Sequence, residues 1–362
     1  MILTYFTYLT TLFSSFFISY SNKELRKNKE PINSYKLISL IPIILIASFK
    51  GNTVGTDSEN YYEYYFFLDT VNYSLIEILI KYIVWNEPLF FTINWIFKSL
   101  DFSYTFYSLF INILIWGLIY HSSKYITDRF YNIIFCSITL GFLFFSFNGI
   151  RQAIAISIIF MSIKFLIENK ISKTIIIILI ASLFHYSAII FLPIYMIGSK
   201  IHISKNLLII FTLIFLLIPN IFLINYLQNI LSFLPKYSYY LNEIVGDRSI
   251  TLGVVLNAFM MFFPILYHDS LYNNSKKNKL LFNMAYIGLF CYLLFYNNAF
   301  INRFIIYFFF FLIFVYARIF EYLSVSNKKN DQILIYSMLT ILFLTKIITQ
   351  DSGCCPYQFL GN

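Results

Sequence analysis

From Ser103 to His121 the chain carries no Asp, Glu, Lys or Arg, and the same holds from Ile2 to Tyr20 and from Phe130 to Phe147. Runs of this kind approach the roughly 20 apolar residues that a helix needs to cross a hydrocarbon layer about 30 Å thick. They are continuous rather than alternating, which excludes a pore-type β-barrel. Further segments of similar character are Ser34–Phe49, Gln152–Glu168, Asn206–Ile224, Thr251–His268, Leu280–Tyr296, Asn302–Glu321 and Gln332–Ile347. Of the 362 residues, 59% are hydrophobic and 12% charged, whereas a soluble domain carries about 25% charged residues. Lipid-facing helices need no polar cover, so the surplus of apolar surface is accommodated in a bilayer. The predicted class is therefore all-α: a polytopic integral membrane protein with about 10–12 transmembrane or partly spanning helices.

The start of the chain lacks a basic leader and a small-residue cleavage pattern, so Met1–Tyr20 reads as a retained helix and not a signal peptide. Two stretches break the simple pattern. Leu75–Leu100 is interrupted by Asn86, Glu87 and Pro88, leaving arms too short to span alone, which suggests a re-entrant or interfacial pair. Thr174–Gly198 carries His185 near its centre.

A net charge of +9 invites a nucleic-acid reading, but the positions of the charges oppose it. Lys23, Arg26, Lys27, Lys29 and Lys36, then Lys124 and Arg129, Lys164, Lys170 and Lys173, Lys200 and Lys205, Lys276, Lys277 and Lys279, and Arg318, Lys328 and Lys329 fall at alternate junctions. The intervening junctions hold only Lys50, Lys81, Lys98, Arg151, Lys236, Arg248, Arg303 and Lys346, with most of the acids. That asymmetry marks the lysine-rich side as cytoplasmic. Keeping every later lysine inside requires Thr174–Gly198 to enter and return as a helical hairpin, with His185 at its outer tip. The resulting map is one helical transmembrane domain over 1–347, external loops at 51–74 and 226–250, and a short external tail at 348–362.

The outer side then holds a restricted polar set: Asp57, Glu59 and Glu63, Glu87, Arg151, His185 and Arg303. Arg151 and Arg303 adjoin helices, and guanidinium forks match phosphate oxygens. Arg151 also stands where a helix begins, an end that favours anions. Both suit an anion clamp, although snorkelling to headgroups or pairing with an acid would also account for them. His185 is a candidate general base, since an imidazole can exchange its proton near neutral pH, with Asp57 and Glu87 as rivals. Tyr61, Tyr62 and Tyr65 belong to an aromatic cluster that either stacks on sugar faces or anchors helices at headgroup depth. Tyr237, Tyr239 and Tyr240 carry the same ambiguity. Asn148 and Gln152 flank Arg151 and are candidate sugar contacts. The four cysteines form no metal spacing, and no phosphate loop, His-Glu-x-x-His or Gly-x-Ser-x-Gly motif is present, which argues against an ATP-driven pump or a zinc protease.

Gly-Thr-Asp-x-Glu-Asn-Tyr at 55–61, Asn-Glu-Pro-Leu-Phe at 86–90, Asn-Gly-Ile-Arg-Gln at 148–152, Phe-His-Tyr-Ser-Ala at 184–188 and Asn-Arg-Phe at 302–304, in this order, resemble the EpsG family of Wzy-like bacterial polysaccharide polymerases. The Pro-Tyr-x-Phe tail at 356–359 is in keeping with it. The resemblance implies a helical glycosyltransferase in the bacterial cytoplasmic membrane. It would take oligosaccharide repeat units from a polyprenyl-diphosphate carrier and join them to another carrier-linked glycan at the outer face, without metal or cofactor. Arg151 and Arg303 would hold the diphosphate, and His185, Asp57 or Glu87 would serve as base. Expected partners are the carrier-linked donor and acceptor, the bilayer and a chain-length regulator, with no nucleic acid. A flippase for the same lipid, or a glycan ligase, is the alternative.

Overall fold

The computed structural model describes residues 2–25, 33–68, 70, 74–77, 80, 87–198, 200–217, 255, 259–295 and 299–360. External loop 226–250, with Tyr237, Tyr239 and Tyr240, lies outside the described residues, as do Lys23, Arg26, Lys27, Lys29, Lys81, Asn86, Lys236 and Arg248, or their side chains. The described chain is helical apart from turns, short 3-10 segments and one isolated antiparallel bridge between Lys50 and Phe359.

Five described helices are long and apolar enough to cross a membrane: Ile2–Ser21, Tyr104–Ser123, Ile150–Ile167, Ile301–Val325 and Lys329–Ile348. Phe130–Thr139 and Phe142–Asn148 make a sixth if taken together, although they are bent by 59°. The chain is thus an all-α, multi-pass membrane protein, consistent with residence in the cytoplasmic membrane. The remaining expected segments are shorter, divided or only partly described. Ser34–Phe49 is two helices, α2 (Asn33–Ile38) and α3 (Ile41–Ser48), with Pro42 in the first turn of the second. Proline lacks an N–H and disfavours helical backbone before it, so the apolar run is continuous but the helix is not.

Contacts group the chain into two compact units: residues 1–189 with 320–362, and residues 190–319. In the first, α1 (Ile2–Leu25) packs on α7 (Phe130–Thr139) and on α3. The central helix is α9 (Ile150–Ile167), which packs against α6 (Tyr104–Ser123) and α10 (Ile171–Phe184). Ala153, Ile154, Ala155, Ile156, Ser157 and Ile159 of α9 are wholly buried, the small side chains allowing close helix approach within lipid. Ser103 caps α6, its hydroxyl accepting from the Phe106 amide at 3.3 Å. The loop 49–57 leads into α4 (Ser58–Phe66), and α5 (Pro88–Ser99) starts immediately after Glu87 with Pro88 in its first turn, where a missing N–H costs nothing. Helix α8 (Phe142–Asn148) delivers the chain to α9.

In the second unit the described helices are α11 (Phe191–Gly198), α12 (Lys205–Leu217), α13 (Phe262–Leu266), α14 (Lys276–Phe295) and α15 (Ala299–Phe309), followed by the first part of α16 (Leu312–Val325). Its most extensive contact joins α14 and α15. Helix α17 (Lys329–Ile348) returns to the first unit and packs on α7.

Candidate active site

Helix α5 packs against α10, and this brings the start of one to the end of the other. Glu87 occupies the position before α5; His185 occupies the position after α10, where the helix stops and the backbone becomes extended (φ −153°, ψ 112°). The Glu87 carboxylate uses one oxygen for His185 Nδ1 and the other for Arg151 Nη1. Arg151 Nε in turn donates to the Tyr61 hydroxyl at 3.4 Å. The guanidinium carbon lies 5.7 Å from the Tyr61 ring centre and 5.8 Å from that of Phe90, within cation–π range of both. Four side chains from α4, the α5 start, α9 and the α10 end thus converge at one point.

Exposure is graded across this cluster. The Glu87 side chain is 8% exposed, that of His185 19% and that of Arg151 36%. The carboxylate is the buried member, and the imidazole and guanidinium reach outward from it. Burial pushes the Glu87 carboxyl up, but the His185 hydrogen bond and the Arg151 charge outweigh burial and hold it below the usual carboxylate range. Glu87 is therefore ionised at neutral pH. A carboxylate on Nδ1 fixes the ring orientation and leaves Nε2, which bonds none of the described residues, as the free nitrogen. Burial pushes the Tyr61 phenol up against the pull of the guanidinium, so Tyr61 keeps its proton beside the cation.

Of the residues expected from sequence, Tyr61, Glu87, Arg151 and His185 come together. Asp57 stands one helical turn before Tyr61, exposed, its carboxylate without a hydrogen-bond partner among the described residues. Tyr62 stacks on Phe66 at 6.1 Å and meets Tyr104 edge-on at 5.1 Å. Tyr65 is buried, donates to the Phe102 carbonyl at 2.7 Å and stacks on Tyr107 at 4.9 Å. Gln152 is buried in α9. Asn148 is occupied within the chain: its Oδ1 accepts from Thr56 Oγ1 at 3.0 Å and from the Asp57 amide at 3.2 Å, while Nδ2 donates to the Ser352 carbonyl at 2.9 Å. Arg303 is exposed on α15 in the second unit.

A family model described as the EpsG family matches residues 33–359. The chain belongs to the EpsG family. No curated protein and no solved structure matches it. The match includes the whole Tyr61–Glu87–Arg151–His185 cluster and the segment 351–359. That family is consistent with a Wzy-like polymerase, and with an enzymatic, glycosyltransferase-like role.

Two features of this EpsG-family site were missed in the sequence. Lys50, read only as a sparse external lysine, is buried; its Nζ donates to the Val54 carbonyl at 3.0 Å and to Ser58 Oγ, and lies 5.5 Å from the Phe147 ring centre. Burial pushes its ammonium down to about 8. The second is the tail, read as an external appendage. Cys354, Cys355 and Tyr357 are buried, Tyr8 donates to the Cys354 carbonyl at 2.5 Å, and Tyr357 donates to the Ile46 carbonyl at 2.8 Å. The available signal was compositional: 353–360 carries no charge.

Proposed function

We propose that this chain is a membrane glycosyltransferase that polymerises polyprenyl-diphosphate-linked oligosaccharide repeat units into a surface polysaccharide at the outer face of the cytoplasmic membrane. The observation that carries the proposal is one buried carboxylate, Glu87, shared between an imidazole and a guanidinium that both reach outward. Glycosyl transfer from a lipid diphosphate makes two demands: a base for the acceptor hydroxyl and positive charge for the departing diphosphate.

His185 Nε2 takes the proton of the acceptor hydroxyl as its oxygen bonds to the anomeric carbon. The anomeric C–O bond to the diphosphate breaks, and the electron pair leaves with the carrier phosphate. Arg151 meets that developing charge with its exposed guanidinium edge, and Tyr61 supplies a neutral donor beside it. Glu87 is a positioning residue that holds the ring and stabilises the imidazolium as it forms. Asp57 and the Tyr61 and Tyr62 faces lie toward the acceptor sugar. Arg303 enters the proposal as a second cation on the sequence argument alone.

The test is reconstitution of the purified protein in vesicles with polyprenyl-diphosphate-linked repeat units. Carrier-linked dimers and longer chains should appear without a partner enzyme. Movement of the lipid between leaflets with no new glycosidic bond would overturn the proposal in favour of a flippase.

A further inference from the structure

The segment Asp351–Leu360 is sewn to the loop that precedes α4. The Leu360 amide donates to Phe49 O at 2.8 Å, Gly51 to Gln358 O at 2.7 Å, Gly55 to Gly353 O at 2.9 Å and Thr56 to Ser352 O at 3.2 Å. The backbone donors at both ends of the loop thus have their acceptors, or their partners, in this strap. Gly55 is the tightest point: its φ is +103°, and a Cβ there would lie 2.7 Å from Ser58 Oγ and 2.9 Å from Asn148 Oδ1. Asn148 is the crossing. One face of its amide holds Thr56 and Asp57, the other holds Ser352, and the residue stands three positions before Arg151. Lys50 secures the same loop from beneath through Val54 and Ser58. One turn along α4 from the secured end is Tyr61, on Arg151 Nε.

We propose that the strap Asp351–Leu360 is a positioning element of the reaction centre, acting through Asn148 and Lys50 to hold Tyr61 against Arg151 and Asp57 beside them. The proposal rests on the polymerase reading. Among the described residues none of the three bonds Arg151, Glu87 or His185, so Arg151 stays on Glu87 to hold the carrier when the strap is gone, and the loss falls on the geometry of transfer. A role confined to stability predicts otherwise: less folded protein, with each folded molecule working at the normal rate.

Asn148→Asp separates the two links, since a carboxylate still accepts from Thr56 and Asp57 but has no donor for Ser352. The experiment compares wild type, Asn148→Asp, a chain ending at Gln350, and the two changes together, each reconstituted in vesicles with the carrier-linked repeat unit. Per folded molecule, each single change should lower kcat between about tenfold and a hundredfold, since small displacements of reacting groups cost that much. KM for the carrier-linked unit should stay within about twofold. The double change should cost no more than the truncation alone, because both cut one link. Should the truncation fail to insert, Lys50→Met tests the second link on its own and should likewise lower kcat with KM unchanged. Additive losses, or kcat at the wild-type value in the single variants, would overturn the proposal. Absence of elongation by wild type would sink the polymerase reading instead. The strap is then judged by amide exchange at Gly55 and Thr56, which Asn148→Asp should accelerate and which unchanged exchange would refute.

Discussion

At the scale of single residues, the site depends on one carboxylate serving both a guanidinium and an imidazole. Glu87→Gln keeps the shape and removes the charge. Arg151 then loses its anionic partner, and the amide presents only one acceptor oxygen to two donors. Elongation by Glu87→Gln should fall by about two orders of magnitude, in the range that a positioned base contributes. Arg151→Lys should also be severely impaired, because a lysine cannot contact Glu87 and Tyr61 at once in the fork geometry. Rates of carrier-linked chain growth in vesicles check both, and wild-type rates in Glu87→Gln would remove the shared-carboxylate mechanism. Lys50 yields a prediction of a different kind. Its folded-state value is about 8 against an ordinary 10.5, so between those values the unfolded chain holds a proton that the folded chain has released. Stability therefore rises with pH across that window, while below pH 8 both states are charged and the burial cost stands in full. The thermal midpoint of wild type should gain on that of Lys50→Met between pH 8 and 10; parallel curves would show that Lys50 is not desolvated. Sequence made each of Glu87, Arg151 and His185 visible as an ionisable group beside an apolar run, where such groups are costly. It left three bases in competition because the pairing depends on where α5 and α10 cross, which no local pattern encodes.

At the scale of elements, hydrophobic length was the reliable guide, and chain breaks within apolar runs were the unreliable part. Tyr104–Ser123 and Ile150–Ile167 begin and end within two residues of expectation, since their boundaries coincide with polar junctions. Phe130–Phe147 was expected to be continuous and instead bends between Thr139 and Phe142. The two residues at that break, Leu140 and Gly141, are apolar or neutral and leave no mark on a hydropathy reading. The α14–α15 pair shows how close the helices come. A Cβ at Gly288 would lie 2.6 Å from the Phe308 carbonyl carbon and 2.7 Å from Phe309 Cα, backbone atoms that have no rotamer to yield. Gly288→Ala should destabilise the protein by about 1–3 kcal/mol, the usual cost of overpacking. A drop in the melting temperature of the detergent-solubilised protein measures it, and an unchanged midpoint would contradict the packing described.

At the scale of the whole molecule, the alternation of lysine-rich and lysine-poor junctions makes a prediction about sidedness. Helix α9 carries Arg151 in its first turn and Lys164 in its last, and Lys170 follows it. Asp57→Cys should react with a membrane-impermeant maleimide on intact cells, whereas Lys170→Cys should react only after permeabilisation. Labelling of both from one side would invert or abolish the proposed outer site. The tail was the least legible part of the sequence, because its attachments are backbone hydrogen bonds and the hydroxyls of Tyr8 and its own Tyr357, each with a partner hundreds of positions away.

That attachment has a consequence for biosynthesis. Gly55 and Thr56 leave the ribosome long before Gly353 and Ser352, whose carbonyls accept from them. An emerging polypeptide can insert helix after helix while this corner of the molecule stays incomplete. Its two amides must be hydrated or borrowed by other groups until Ser352 and Gly353 are made, and contacts of such long sequence separation form slowly. A polypeptide terminated before Asp351 would thus reach the membrane with most of its helices in place and this corner still unclosed.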